Sequence, residues 1–286
     1  MKKKLILFSL LIAFIGLLYG QVIKPVIQPE IIPKILPEIN PHIFLQTDQT
    51  PQDDLDFMMT MTGGGTCTID WGDGESSAVS GGATTYDHHY GATGDYNIRI
   101  YGDLDKITDF EETSNPISGD IKTFAQATGL IYLNLNSTSV DGDIANLSGL
   151  TSLNDLRLNN PSVDGDIANL SGLTSLIYLY LNNTSVDGDI ANLSSLIILI
   201  KLYLNNTSVD TYTQGVLPDW DACEIYIQDL GLSQQEVDDF LCDLDTASTA
   251  STKTLNIAGT NAAPSATGIA CKNSLVTKGW TVTVSE

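Results

Sequence analysis

The chain has 286 residues, of which 35 are acidic and 13 basic, so its formal net charge at pH 7 is −22. Nucleic acids and anionic membrane surfaces are bound by clustered lysine and arginine, so this composition argues against both classes of partner. The acidity suits a soluble extracellular protein, and it also suits binding of divalent cations.

The first 20 residues have the pattern of an export signal. Three lysines at positions 2–4 precede an apolar run over residues 5–18, which is shorter than the roughly 20 residues that a membrane span needs. We therefore predict a signal peptide at residues 1–20, a secreted or cell-surface location, and no membrane span in the mature chain. Leu18 is larger than the residue preferred near a cleavage site, so retention as an N-terminal anchor stays open.

Residues 21–41 are predicted to form a proline-rich extended spacer. Prolines occur there at every fourth position, with valine, isoleucine or leucine between them. Proline at that density is incompatible with a helix or with ladder pairing in a sheet. The apolar content leaves docking to a partner as a second interpretation.

Residues 42–104 are predicted to form a small all-β sandwich, because short alternating segments are separated there by turn residues. The string Asp70-Trp-Gly-Asp-Gly74, followed by His89-Tyr90, Gly94 and Tyr96, resembles the polycystic-kidney-disease-type (PKD-like) domains of bacterial surface proteins. The resemblance implies a spacer or an accessory adhesion module.

The stretch from residue 117 to 210 repeats every 23 residues. Such a period predicts a solenoid, in which each coil buries its apolar face against its neighbours. Counting the degenerate coils at both ends, we predict about six coils over residues 105–286. The last of them form a cap that contains a helix, since Ser233-Gln-Gln-Glu236 is typical of a capping box.

The repeat unit reads L-x-x-L-x-L-N-N-T-S-V-D-G-D-I-A-N-L-S-x-L, as in residues 176–196. It resembles the leucine-rich repeat in its variant with a Gly-x-Ile turn after the strand. One departure is that the asparagine usual after the strand is replaced, by Thr138, Pro161, Thr184 and Thr207. The resemblance implies a bacterial secreted or surface protein with a β-rich fold, the sandwich being followed by the repeat solenoid.

Alternation within each repeat strand predicts which side chains point out of the concave sheet. Tyrosine is common at binding hot spots because it offers a large contact at little cost in side-chain entropy. The alternative interpretation is that stacked identical residues help neighbouring strands to pack. The predicted ligand-binding residues are Arg157, Asn159, Tyr178, Tyr180, Asn182, Lys201, Tyr203, Asn205 and Tyr226.

Asp143, Asp166 and Asp189 recur at one position of neighbouring coils and are candidate calcium ligands. Coils are spaced by about 4.8 Å, at which two carboxylates in water repel by roughly 0.9 kcal/mol. A calcium ion shared between coils would relieve that repulsion. Solvated turn carboxylates are the alternative, and no other cofactor is expected.

Four cysteines in an exported chain allow at most two disulfides. Cys242 and Cys271 both belong to the C-terminal cap, so a disulfide between them is a candidate, although spacing alone leaves the connectivity open.

The sequence predicts a binding protein and not an enzyme, because solenoids present surfaces and no nucleophile or metalloprotease motif is present. We expect a non-catalytic extracellular or cell-surface binding or adhesion protein whose concave face recognises a protein or a glycan. One alternative is a structural or assembly subunit of a surface or extracellular array. The other is the targeting module of a separate hydrolase.

Overall fold

The computed structural model describes residues 42–49, 54–113, 117–159 and 162–286. The predicted signal peptide and proline-rich spacer, at residues 1–41, lie outside these ranges. Residues 42–286 form one compact unit, and the predicted β-rich fold is confirmed within it.

The described residues contain nineteen strands, two α-helices and five 3₁₀ helices. The strands are β1 (His42–Gln49), β2 (Asp54–Met61), β3 (Thr66–Asp70), β4 (Ser76–Ser80), β5 (Thr84–His89), β6 (Gly94–Gly102), β7 (Ile107–Glu111), β8 (Ile117–Asp120), β9 (Tyr132–Asn134), β10 (Ser139–Asp143), β11 (Asp155–Arg157), β12 (Val163–Asp166), β13 (Tyr178–Tyr180), β14 (Ser185–Asp189), β15 (Lys201–Tyr203), β16 (Ser208–Thr211), β17 (Glu224–Tyr226), β18 (Thr254–Ile257) and β19 (Thr281–Val284). The α-helices are α1 (Gln234–Ala247) and α2 (Ala266–Thr277), and the 3₁₀ helices are Leu104–Lys106, Ile121–Gln126, Ile144–Leu147, Ile167–Leu170 and Ile190–Leu193.

Two sheets run through the unit. The first has the order β16-β14-β12-β10-β8-β1-β6-β3-β4, and the second has the order β19-β18-β17-β15-β13-β11-β9-β7-β2-β5. The repeat strands pair in parallel, whereas β1 to β6 pair antiparallel with their neighbours. Strands on both sides of residue 104 thus share the same two sheets, and the domain boundary predicted there stays a prediction.

Each repeat coil is held by a row of inward apolar side chains. In the coil that begins at β13, Leu179, Leu181, Val186, Ile190 and Leu193 are all fully buried. Burial of one such side chain contributes about 1.5–3 kcal/mol. The 23-residue period places the equivalent residues of successive coils in contact, so one continuous apolar core extends through the whole unit.

A threonine ladder occupies the position where the leucine-rich repeat carries asparagine. The hydroxyl groups of Thr138, Thr184 and Thr207 donate to the carbonyl oxygens of the residues three positions earlier, at 2.8, 2.6 and 2.7 Å. Each bond closes the turn between the two strands of one coil. The threonine hydroxyl therefore supplies a hydrogen-bond donor to the backbone carbonyl at the start of each turn.

The C-terminal coils replace the 3₁₀ helix with an α-helix. The capping box at the start of α1 is formed by Ser233 and Glu236, as the sequence predicts. Cys242 of α1 and Cys271 of α2 are joined by a disulfide with an S–S distance of 2.06 Å. In the part of the chain that the structure describes, no helix has both the length and the apolar character to cross a membrane.

Candidate functional site

The outward side chains of β9, β11, β13, β15 and β17, here called the recognition face, lie in two columns across the second sheet. The parallel pairing places equivalent residues 23 positions apart directly beside one another. The first column is Tyr132, Asp155, Tyr178, Lys201 and Glu224. The second column is Asn134, Arg157, Tyr180, Tyr203 and Tyr226.

Three tyrosines of the second column form a stacked ladder. The ring centroids of Tyr180 and Tyr203 are 4.8 Å apart with an interplanar angle of 28°. Those of Tyr203 and Tyr226 are 4.5 Å apart at 21°. Both faces of the Tyr203 ring are therefore turned to other rings, and the ladder presents ring edges and phenol groups outward.

Arg157 extends this ladder beyond Tyr180. Its guanidinium lies 5.2 Å from the Tyr180 ring centroid and 5.5 Å from that of Tyr132. The same group donates two hydrogen bonds to the Asp155 carboxylate, at 2.8 and 2.7 Å. These bonds raise the pKa of Arg157. The guanidinium is therefore always charged, and the carboxylate of Asp155 in the same strand largely neutralises that charge.

A hydrogen-bonded group at the N-terminal end of the face was missed by the sequence analysis. The Tyr132 hydroxyl and the Asn134 amide both donate to the Glu111 carboxylate, at 2.9 and 2.8 Å. Burial is the largest cause that raises the pKa of Tyr132 to about 12. Glu111 lies in a degenerate coil whose sequence carries little repeat signal, which is why its part in the face was not predicted.

The Tyr203 phenol is a hydrogen-bond donor at neutral pH. Burial raises the pKa of Tyr203, and the nearby Lys201 cation opposes that rise. Lys201 in turn lies 3.5 Å from the Glu224 carboxylate. The face thus offers phenol groups beside two ion pairs, Arg157 with Asp155 and Lys201 with Glu224. Because these charges pair with one another, the face does not specially favour a partner with a strong net charge.

The predicted amide residues lie at the end of the repeat strands and are half-buried. The Asn136 side-chain oxygen accepts a hydrogen bond from the backbone N–H of Asn159 in the next coil, at 2.9 Å. Asn182 and Asn205 occupy the equivalent positions of later coils. The hydrogen bond between Asn136 and Asn159 therefore joins two neighbouring coils. The contribution of the amide residues to ligand binding stays a prediction.

The three aspartates predicted as calcium ligands each cap a 3₁₀ helix. The carboxylates of Asp143, Asp166 and Asp189 accept hydrogen bonds from the backbone N–H two residues later, at 2.7, 2.8 and 2.8 Å. A side-chain acceptor at this position satisfies one of the free N–H groups at the helix start. The recurrence of aspartate at this position of the three coils thus has a local structural cause.

The same carboxylates lie against the next coil. A Cβ atom added at Gly188 would come within 2.2 Å of the Asp166 carboxylate, and Gly188 has a φ of +104°. After the last copy the glycine is absent, and the N–H of Thr213 donates to the Asp189 carboxylate at 3.1 Å. Across residues 42–49, 54–113, 117–159 and 162–286, no three His, Cys, Asp or Glu side chains are grouped to hold a metal ion, and calcium binding stays a prediction.

Side chains in and near the string predicted to be PKD-like pack together in the N-terminal strands. The Trp71 ring stacks on the buried His88 ring with centroids 4.8 Å apart, and His88 Nε2 lies 2.7 Å from Asp73 Oδ2. Partial burial acts to raise the pKa of Asp73, but hydrogen bonds from the Glu75 N–H and from His88 lower it overall. The Tyr90 hydroxyl donates to the Trp71 carbonyl at 3.0 Å, so these side chains hold one another in place.

No protein-family model and no curated protein matches the chain. Among solved structures it is similar to an internalin from Listeria monocytogenes, with 22% identity, a TM-score of 0.46, and coverage of 65% of this chain and 50% of the other. It is also similar to the leucine-rich-repeat ectodomain of GASSHO1/SCHENGEN3 from Arabidopsis thaliana, with 23% identity, a TM-score of 0.42, and coverage of 52% and 18%. The plant peptide hormone receptor RGFR1, in complex with RGF2, matches with 20% identity, a TM-score of 0.44, and coverage of 63% and 32%.

The chain thus spans half of that internalin and smaller parts of the two plant receptors. Their identities and TM-scores are too low to transfer a partner or an activity. The assignment of a repeat solenoid rests instead on the coil geometry of this chain, namely its 23-residue register and its threonine ladder.

Proposed function

We propose that the protein is an exported, non-catalytic binding protein whose recognition face holds an extended segment of an extracellular protein partner. The observation that supports this most directly is the stacked ladder of Tyr180, Tyr203 and Tyr226. We take these three tyrosines as anchors, with Tyr178, Lys201 and Arg157 beside them. The proposal includes export by a signal peptide at residues 1–20 and an accessory PKD-like sandwich at residues 42–104.

The orientation of the rings favours a polypeptide over a glycan. The face of an aromatic ring, with its negative potential, is the part that attracts the C–H groups of a sugar. In the ladder those faces are turned to neighbouring rings, so Tyr203 has no free face to offer. Ring edges with phenol donors instead match a chain that alternates apolar side chains with carbonyl acceptors, as an extended peptide does.

The first experiment is a binding screen of the full chain against arrays of extracellular proteins and of glycans, with and without calcium. One variant carries Tyr180→Ala, Tyr203→Ala and Tyr226→Ala, and removes the ladder. A second carries the three corresponding changes to Phe, which keep the rings but remove the hydroxyl groups. Tyr101→Ala, at a half-buried tyrosine of β6, is the matched control.

We expect a protein ligand whose affinity falls at least tenfold, about 1.4 kcal/mol, in the alanine variant and measurably in the phenylalanine variant. Tyr101→Ala is expected to leave the affinity unchanged. A glycan ligand that binds the phenylalanine variant normally would replace the polypeptide with a sugar that uses the rings. Binding that all three variants retain would move the site to the N-terminal strands or to the spacer, and an absence of any ligand would favour an assembly subunit.

A further inference from the structure

One exposed turn of the solenoid differs from its counterparts in the neighbouring coils. A tight turn precedes each of β11, β13 and β15, and in it a leucine N–H donates to the carbonyl oxygen three positions earlier. At the centre of this turn two coils carry Thr151-Ser152 and Thr174-Ser175, whereas the coil before β15 carries Ile197 and Ile198. These two isoleucines, here called the isoleucine ridge, are 63% and 47% exposed.

The fold does not require isoleucine at these two positions. The turn is held from inside by Leu196 and Leu199, which are both buried, and the same turn forms around threonine and serine in the two earlier coils. The centre of the corresponding turn in the next coil is formed by Asp221 and Ala222. The ridge therefore stands between turns with smaller or more polar side chains, and its apolar surface is left largely exposed.

Neighbouring coils hold the backbone of this turn on both sides. The indole N–H of the buried Trp220 donates to the carbonyl oxygen of Leu196 at 3.0 Å. On the other side, the Ser195 hydroxyl donates to the carbonyl oxygen of Ser171 at 2.6 Å. The ridge is thus presented by a fixed backbone. An apolar group that is fixed in advance loses less conformational entropy when a partner covers it than a mobile one does.

The isoleucine ridge borders the recognition face. Ile198 lies three residues before Lys201, the first outward residue of β15, so their Cα atoms are within roughly 11 Å of each other. Between them Ile200 is half-buried, and its N–H donates to the carbonyl oxygen of Ile177 at 2.8 Å. Ile177 is half-buried as well and directly precedes Tyr178 of the first column. Half-buried isoleucines therefore make the ridge continuous with the recognition face.

We infer that the polypeptide partner of the recognition face also covers the isoleucine ridge, with a large aliphatic or aromatic side chain. The inference rests on the proposed function, because it extends the same binding surface. An aliphatic side chain has no ring face to attract the C–H groups of a sugar, and it stabilises a complex by burial of apolar surface. Two residues are too few to hold a partner alone, since a stable interface involves about 20–30 residues on each side. The ridge therefore adds to binding at the tyrosine ladder.

The strand geometry sets the position of this apolar side chain in the partner. The path from Ile198 to Tyr203 follows the end of the turn and then β15, and at a rise of roughly 3.3 Å per residue it spans at most about 17 Å. An extended segment of the partner covers the same span with about five residues. The apolar side chain should therefore lie about four or five residues from the residue that contacts Tyr203.

Binding of the full chain to an array of synthetic peptides of about 12 residues, long enough to span both the ladder and the ridge, tests the inference. The ridge variant carries Ile197→Thr and Ile198→Ser, which restore the residues of the two earlier coils and should leave the fold intact. The ladder variant is the triple alanine variant described above, and Val216→Thr is the matched control. Val216 is 90% exposed, but its loop lies beside a capping aspartate, where the N–H of Thr213 donates to Asp189.

We expect the peptides that bind the parent to share a large apolar residue at one position, and the ridge variant to bind them at least about tenfold more weakly. Replacement of that peptide residue by serine should weaken binding to the parent by a similar factor. It should change binding to the ridge variant by less than about twofold, because the group that it contacts is already absent. Val216→Thr should bind like the parent.

The other outcomes separate the inference from the proposed function. Equal binding to the parent and the ridge variant, with a loss in the ladder variant, overturns the inference and leaves the proposed function standing. The inference is also overturned if the losses from the peptide change and the ridge variant multiply, because the two groups then do not meet. Peptides that bind the ladder variant as well as the parent, or no bound peptide at all, refute the proposed function and the inference with it. If circular dichroism shows that the ridge variant is unfolded, a photoreactive phenylalanine analogue at the same peptide position decides, since it should crosslink to residues 196–200 of the parent and a crosslink elsewhere overturns the inference.

Discussion

Replacement of Asp166 separates its role as a helix cap from a role in calcium binding. The Asp166 carboxylate accepts a hydrogen bond from the N–H of Ala168 at 2.8 Å. Asn169 supports the same turn by donating to the Asp166 carbonyl at 3.0 Å. Asparagine caps about as well as aspartate, whereas alanine cannot accept this bond. Calcium, in contrast, is held mainly by ionised carboxylates.

The two replacements are expected to differ by a measurable amount. Loss of an N-terminal cap costs about 1 kcal/mol, within a range of roughly 0.5–2 kcal/mol, so Asp166→Ala should lower the free energy of unfolding by that amount. Asp166→Asn keeps the acceptor and removes one charge from a column in which neighbours repel by up to about 0.9 kcal/mol each. We therefore expect the asparagine variant to be as stable as the parent or slightly more stable.

Urea denaturation followed by circular dichroism, in calcium and in chelator, measures both effects. The capping interpretation requires a gap of about 1 kcal/mol between the two variants and no effect of calcium on any of the three proteins. If the asparagine variant is as unstable as the alanine variant, the hydrogen bond to Ala168 is not what the aspartate contributes. If calcium stabilises the parent and not the asparagine variant, a metal site between coils replaces the capping interpretation.

Two further predictions concern the repeat turn and the cap. Gly165→Ala should lower the free energy of unfolding by about 2 kcal/mol or more in the same urea assay. The reason is that Gly165 has a φ of +99° and an added Cβ would lie 2.1 Å from the Asp143 carboxylate. The control is Gly172→Ala in the same coil, which has open space around it and should be neutral or slightly stabilising. Partial burial acts to raise the pKa of Asp221, but hydrogen bonds from Ser248, Ala250 and Thr249 lower it to about 2. A lowered pKa stabilises the fold above the unfolded value near 3.9, and this contribution, on the order of 2 kcal/mol, is lost as the pH falls toward 2. The parent should therefore be more stable than Asp221→Asn at pH 7 and lose that advantage between about pH 4 and pH 2, and an advantage that persists at pH 2 would contradict the assignment.

The register of the repeats was predictable because the period determines it directly. A 23-residue coil places Leu156 beside Leu179 and Leu179 beside Leu202 once parallel stacking is assumed. The start of α1 was predictable for a local reason, since the capping box involves only residues 233–236. Both features depend on short or regular sequence relations.

Features that depend on side-chain direction or distant pairing were not predictable. The column of tyrosines follows from the register. The stacking of their rings face to face depends in addition on the side-chain rotamers, which the register does not determine. The joining of β1 to β8, with Thr47 opposite Ile117, links segments with no shared pattern. The aspartate cap did have a signal, because Asp-Ile-Ala-Asn-Leu places a preferred capping residue directly before a short apolar turn.

Comparison of the repeat copies distinguishes residues that stabilise each coil from outward residues that vary between coils. The capping aspartate, the turn threonine and the amide after the strand recur with little change, and contacts within or between neighbouring coils account for examples of each. The outward strand positions differ from coil to coil, from Asp155 to Tyr178 to Lys201 in one column and from Arg157 to Tyr180 in the other. Stacking of coils alone does not require that variation, because β9, β11, β13, β15 and β17 all bury a leucine or an isoleucine at the same inward position. The varied columns are therefore strong candidates for ligand contacts. The amide column joins neighbouring coils from Asn136 to Asn159, whereas the side-chain oxygens of Asn159, Asn182 and Gln228 are buried without a hydrogen-bond partner among the described residues. Cohesion of the solenoid therefore accounts for only part of this column, and its role in ligand binding stays a prediction.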